Sequence, residues 1–287
     1  MAALSPRSLL CLGLLFAPAC ALGPDGPSDI AMGPAASSGP AGAGEAEPAP
    51  PFQAGERFDY EIRVLGIPAA SAFVETERQG NDWALTGFIQ ARPWLETFYR
   101  LALRLETRVD GDSLRTKHLI RDGVNGARET HREAKYRKGG RVRVKRQTKG
   151  GKARKRWRRT HAEARDPLAL LLAMRQAMQA GRIDGSVWHG FDGVWTRRIS
   201  IDDLGPETAE SPAGTYRCRK LRVRSLRVQV KGDSRRIPKK AEDLTWTVWV
   251  MEGSPMVVVR AEGTGPFGPA TVVLERARTG RAIASAR

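Results

Sequence analysis

Cysteine is scarce in this 287-residue chain. Only Cys11, Cys20 and Cys218 occur, and only Cys218 lies beyond the first 21 residues. A folded part with one cysteine excludes an internal disulfide framework. In an oxidising compartment Cys218 reads as a small buried apolar residue rather than a reactive thiol. Histidine is as sparse. His118, His131, His161 and His189 show no metal-ligand spacing, so no metal and no cofactor is expected. No glycine-rich phosphate loop precedes a helix, which removes support for nucleotide binding, and no Gly-x-Ser-x-Gly elbow is present. His131 and His161 flank a basic segment and are expected to face each other at its base. His189 with Asp192 reads as a polar pair near a turn. Asp110-Gly111-Asp112 lacks the later ligands of a calcium loop and reads as a turn between strands. Asp202-Asp203 reads as a strand end before a turn at Leu204-Gly205-Pro206.

Long apolar runs are also missing after the first 21 residues. Within them, Arg7 precedes Leu9, Leu10, Leu12, Leu14, Leu15 and Phe16, a stretch of signal-peptide length and too short to span a bilayer. Ala19-Cys20-Ala21 supplies a small-x-small cleavage pattern, with cleavage expected after Ala21. The alternative is a lipoprotein signal with Cys20 as the lipidated residue. Either way the chain is expected to be exported, to the periplasm or, if Cys20 is lipidated, to the outer envelope. Residues 22–51 are rich in Gly, Pro, Ala and Ser and nearly free of large apolar side chains, which marks a disordered linker. One β-rich domain is expected over 52–281.

Acidic residues are rare where basic ones crowd. The net charge is +17, and residues 131–159 hold 15 Lys and Arg against the single acid Glu133. That segment alone carries +14, leaving +3 for everything else. Its charge speaks to a partner, not to the fold. Arg141 to Arg146 alternates like a strand, Gly150-Gly151 suits a turn, and Arg154 to Arg159 suits the return. A projecting two-stranded ribbon over 131–160 is expected, with Val142, Val144 and Trp157 on one side. The candidate anion-binding residues are Lys135, Arg137, Lys138, Arg141, Arg143, Lys145, Arg146, Lys152, Arg154, Lys155, Arg156, Arg158 and Arg159.

Elsewhere period-two patterns dominate. Tyr99, Leu101, Leu103, Leu105 and Val109 share one face, opposite Arg100, Arg104, Glu106 and Arg108. Phe58, Tyr60, Ile62 and Val64 alternate likewise, as do Leu244, Trp246, Val248 and Val250. In 221–230 the apolar phase slips near Ser225, which predicts a bulge or bend. Recurrent glycines between such segments predict an antiparallel meander. One helix is expected over about 166–180, with Asp166 as N-cap, Pro167 at the first turn and Gly181 as the stop. It is apolar on most sides, so it should be buried against the concave face of a curved sheet or half-barrel. Its Leu168, Leu171 and Leu172, with Trp94 and Phe98 around Pro93, are the candidates to line an apolar cavity.

Several separated motifs resemble the bacterial family called domain of unknown function 3108. They are Gly55-Glu56-Arg57-Phe58-Asp59-Tyr60 with Leu65-Gly66-Ile67-Pro68-Ala69-Ala70, then Phe98-Tyr99 leading through Leu105 to Asp110. Next come Arg165 to Leu170 at the helix start, Pro212-Ala213-Gly214-Thr215-Tyr216 with Cys218, Trp246 to Val250, and Pro255-Met256. The resemblance spans roughly 54–276. Ala70-Ser71 departs from the opening hairpin's usual second glycine, and the basic ribbon is longer than the pattern requires. The resemblance implies an exported β-rich domain with no catalytic residues to carry over. At fold level it is similar to half-barrels that ferry lipids or lipoproteins across the envelope.

The expected function is therefore a non-enzymatic envelope protein that binds an apolar or anionic component, a lipid or a lipopolysaccharide-like molecule, at a membrane surface. The alternative is a structural or assembly factor for a protein or cell-wall polymer, and a lesser one is a secreted hydrolase. The leader argues against nucleic acid as the partner in the cell, and the sequence names no protein partner.

Overall fold

The computed structural model describes residues 52–231, 234–236, 243–253, 255–265 and 267–279. The leader with Cys20 and Ala21, and the linker, lie outside the described residues. Period-two segments become strands throughout. They are β1 (Glu56–Val64), β2 (Ile67–Gln79), β3 (Asp82–Ala91), β4 (Leu101–Val109), β5 (Thr116–Asn125), β6 (Arg128–Arg137), β7 (Arg141–Thr148) and β8 (Arg154–Arg159). The second half adds β9 (Ser186–Phe191), β10 (Thr196–Ser211), β11 (Gly214–Lys231), β12 (Ser234–Arg236), β13 (Asp243–Met251), β14 (Val258–Gly265) and β15 (Gly268–Arg278). The described helices are a single turn, α1 (Pro93–Glu96), and α2 (Pro167–Gln179).

The strands form one antiparallel sheet in the order β8-β7-β6-β5-β4-β3-β2-β1-β15-β14-β13-β11-β10-β9, with β12 paired to β11. Almost every neighbour follows in sequence, as a meander requires. The exceptions are β11 against β13, which skips the short β12, and β1 against β15, with Ile62 opposite Val272, which joins the two halves of the chain. The sheet curls but does not close. Its ends, β8 and β9, share no ladder. Individual contacts bridge the seam instead: the Tyr136 hydroxyl donates to the Phe191 carbonyl, the Arg121 side chain pairs with Asp192, and the Arg165 backbone makes an isolated bridge to Gly190.

Helix α2 links those two ends and plugs the concave side. Its start is held firmly. Asp166 accepts from the N–H groups of Leu168 (2.9 Å) and Ala169 (3.3 Å), as an N-cap should. The same buried carboxylate accepts from Thr107 (2.8 Å) on β4 and Thr116 (2.6 Å) on β5. Burial raises its pKa, against the lowering by these four hydrogen bonds. The helix stops in a Schellman motif: Gly181, at φ 64°, donates to Met178, and Arg182 donates to Ala177. Leu168, Ala169, Leu172 and Ala173 are buried against the sheet. Midway along α2, Arg175 forks onto Glu56 of β1 at 2.9 and 3.3 Å, and Glu56 is fully buried.

Two local expectations change. No bulge forms at Ser225, because β11 stays in register with β13 from Cys218 to Leu226. The apolar phase slips because Ser225, a polar residue, continues the concave row of Leu221 and Val223, which turns Leu226 and Val228 to the other face. Asp202-Asp203 does not end a strand either. β10 runs on to Ser211, and the Leu204-Gly205 step is a shift of register between Asp203 and Pro206.

Candidate functional site

Beneath α2 the concave face does not pack shut. A cavity of about 150 Å³ lies between the helix and strands β9, β10, β11, β13 and β14. Leu171, Met174 and Met178, spaced i, i+3 and i+7, supply the helix wall. Ile199, Ile201, Leu221, Val223, Val248 and Val250 supply the sheet wall. An apolar void of this size suffices for a benzene-sized guest. Met174, Met178 and Met256 line it as flexible thioethers, which re-pack around guests of different shape. At one end it adjoins a polar groove of about 500 Å³ that shares Met178, Ile183 and Met256. There Arg219 pairs with Asp203 at 2.7 Å.

The cavity's other end is polar too. Arg197, fully buried, and Asp192 line it, and Asp192 also holds Arg121 and accepts from the Val194 and Trp195 N–H groups. Ser225 and Trp246 complete this end. Both are almost fully buried, and neither the Ser225 Oγ nor the Trp246 Nε1 has a hydrogen-bond partner among the described residues. The indole lies flat on Gly263, where an added Cβ would come within 2.5 Å of the ring. Tyr60, another lining residue, is kept protonated well above the usual phenol range by burial.

Of the residues expected to line a cavity, Leu171 and Leu172 do so, and Leu168 packs into the adjoining core. Trp94 and Phe98 do not. They sit 50% and 81% exposed around α1, on the link between β3 and β4. The Trp94 Nε1 donates to the Pro68 carbonyl, which pins it to the β1–β2 turn rather than turning it inward. Sequence reading missed Arg197, Ser225 and Trp246 as one group. The phase slip at Ser225 was the signal.

The basic residues form the expected hairpin, with its turn at 149–152, but it extends the sheet rather than standing apart from it. β7 pairs with β6 from Arg141 to Thr148, and β8 is the free edge. Lys135, Arg137, Arg141, Arg143, Lys145, Lys155 and Arg159 share the convex face by register. Glu133 is the acid among them, held below the usual carboxylate range by the Lys135 hydrogen bond. Trp157 is opposite Arg143, and so lies on this face under the Arg141 guanidinium, not with Val142 and Val144. Those two valines are buried on the concave side, because the register sets them against Arg158 and Arg156. Arg146 and Arg154 also point concave, in line with Arg132 and Arg121 across four strands. Lys138 and Lys152 sit in the two turns.

The histidines are placed differently from expectation. His131 bonds Asp122 at 2.7 Å, while His161 stacks on His189 with ring centroids 3.7 Å apart. Asp192 is taken up by Arg121 and its own turn. Among the described residues no group of three metal-ligating side chains converges, and no helix is long and apolar enough to cross a membrane.

Comparison with known proteins agrees with the order of these elements. The family model described as "Protein of unknown function (DUF3108)" matches residues 59–275. The chain belongs to the DUF3108 family. The matched span runs from β1 into β15 and takes in the cavity, α2 and the basic edge. No curated protein matches in sequence. Among solved structures, a β-barrel-like DUF1849 protein from Brucella abortus superposes with a TM-score of 0.54 at 8% identity, covering 80% of this chain and 100% of its own. That likeness shows a shared fold for this DUF3108 member. A candidate exported protein with a YmcC-like fold from Bacteroides fragilis gives a TM-score of 0.35 at 12% identity, over 80% and 98% of the two chains. A candidate lipoprotein from Parabacteroides distasonis gives 0.34 at 10% identity, over 79% and 98%.

Proposed function

We propose that this protein is a non-enzymatic carrier or sensor of an acyl lipid in the cell envelope. The observation that supports it is the apolar cavity under α2, walled by aliphatic side chains and three methionines. Ligand sites are concave, mostly apolar and carry few polar groups, which describes this cavity. The leader-like segment supports export. The convex basic face on β6, β7 and β8 suits docking on anionic headgroups, since each Lys or Arg near such a surface contributes roughly 1 kcal/mol. The assembly-factor reading would use the free edge β8 for strand addition, but six exposed residues with five Arg or Lys make a poor template, because charge on an edge strand discourages pairing.

Native mass spectrometry of the mature protein incubated with a bacterial total lipid extract tests the reading. One acyl-lipid adduct per chain is expected. Val248→Phe, or Val223→Phe should the first fail to fold, fills the cavity and should remove the adduct. No adduct on the wild type, or an undiminished adduct on folded filled variants, overturns the proposal.

A further inference from the structure

The polar end of the cavity is specific in kind. Ser225 and Trp246 are neighbours on the diagonal of the β11–β13 ladder: Val223 faces Trp246, and Ser225 faces Leu244. Arg197 is on the next diagonal, because Ile199 faces Ser225 across β10 and β11. Diagonal neighbours on one sheet face lie within reach of long and aromatic side chains. An indole N–H and a guanidinium only donate, and a hydroxyl donates readily. Two buried polar atoms without a partner among the described residues carry a desolvation cost that an acceptor from a guest relieves. Donors that share one face of the sheet select an oxygen acceptor, not another donor.

We infer that Ser225 Oγ and Trp246 Nε1 form the recognition site for the carbonyl oxygen of an acyl ligand, with the buried Arg197 charge favouring a carboxylate. This rests on the acyl-lipid reading above and adds the orientation. The carbonyl goes in first, and the chain runs along Val223, Leu221 and Val248 towards Met178 and Met256. From Ser225 to Arg219 along β11 is about 20 Å at strand rise, room for a chain once the methionines re-pack. Gly263 belongs to the site as the floor that lets the indole lie flat.

Calorimetric titrations separate the two claims. The probes are toluene, which is apolar only, octanoate, and methyl octanoate, whose carbonyl has no charge. The wild type should bind all three. Ser225→Ala and Trp246→Phe should weaken octanoate and methyl octanoate about tenfold each, and Ser225→Ala should leave toluene unchanged, because it removes little besides the hydrogen bond. If octanoate is preferred over the ester, the acid is the ligand form; if both bind alike, an ester-linked acyl chain is. Unchanged octanoate and ester affinity in both variants, with toluene still bound, overturns the carbonyl site but spares the cavity. No binding of any probe overturns the acyl-lipid reading itself. Ser225→Ala also guards against misfolding, since removing an unpartnered hydroxyl should not lower the unfolding temperature.

Discussion

Asp166→Ala should be among the most damaging single substitutions in the fold. The carboxylate caps α2 and is the acceptor for two threonine hydroxyls from β4 and β5. Loss of an N-cap costs about 1 kcal/mol. Thr107 and Thr116 are 4% and 6% exposed, so each loses an acceptor that water cannot easily replace. A stranded buried hydroxyl costs at least about 1 kcal/mol. Together the loss is about 3 kcal/mol, or a fall of roughly 6–12 °C in the unfolding temperature for a domain of this size. Adding Thr107→Val should recover about 1 kcal/mol of this, because that hydroxyl then no longer needs an acceptor. Asp166→Asn keeps one acceptor oxygen and relieves the buried charge, and should lose less than about 1 kcal/mol. Urea unfolding of the four proteins measures all of this. A loss below about 0.5 kcal/mol for Asp166→Ala, or further loss on adding Thr107→Val, would refute the reasoning.

Other expectations follow from single sites. Gly263→Ala should tilt the Trp246 indole off the sheet, change the near-ultraviolet circular dichroism and cost about 1–3 kcal/mol by overpacking; an unchanged spectrum contradicts the contact. Replacing Arg141, Arg143, Lys145 and Lys155 with Gln should weaken binding to anionic vesicles roughly a thousandfold at low salt. Equal binding in a co-sedimentation assay removes the docking role. Cys218 is fully buried and burial pushes its thiol up to about 11, so iodoacetamide at pH 8 should label it only in urea. Asp110 is held below the usual range, chiefly by the Ser113 N–H and hydroxyl, with Lys117 assisting. A depressed folded pKa gives stability above the unfolded pKa, near 4, that is lost as pH falls. The stability gap between wild type and Asp110→Asn should therefore be open at pH 6 and shrink towards pH 2. A gap that stays constant across that range in urea unfolding contradicts the assignment.

Local patterns carried most of the elements. The alternation in Leu101–Val109 and Leu244–Val250 and the Asp166-Pro167…Gly181 brackets read directly as β4, β13 and α2, because strand and helix periods and caps are short-range physics. The pairing of β1 with β15, and the seam built by Tyr136, Arg121 and Arg165, join residues far apart in sequence, and no local pattern encodes them. The site was harder for a related reason. Ser225 breaks an apolar row, and a break reads equally as a bulge or as a polar group aimed into the core. Only the register with β13 decides. Trp94 and Phe98, around Pro93, read as candidates to line an apolar cavity, but composition does not say towards which rim of a curved sheet they turn. The face of Trp157 likewise depends on the register between β7 and β8, which the Gly150-Gly151 turn alone does not set.

The central claim is that the space under α2 holds an acyl chain. The chain has six methionines, of which Met174, Met178 and Met256 line the cavity, while Met32 belongs to the linker segment. Methyl-labelled methionine resonances followed during titration with octanoate test the claim most directly. Saturable shifts at Met174, Met178 and Met256, with Met32 unmoved, are the predicted result. Shifts at none of the three, or equal unsaturated drift at every methionine, would contradict it.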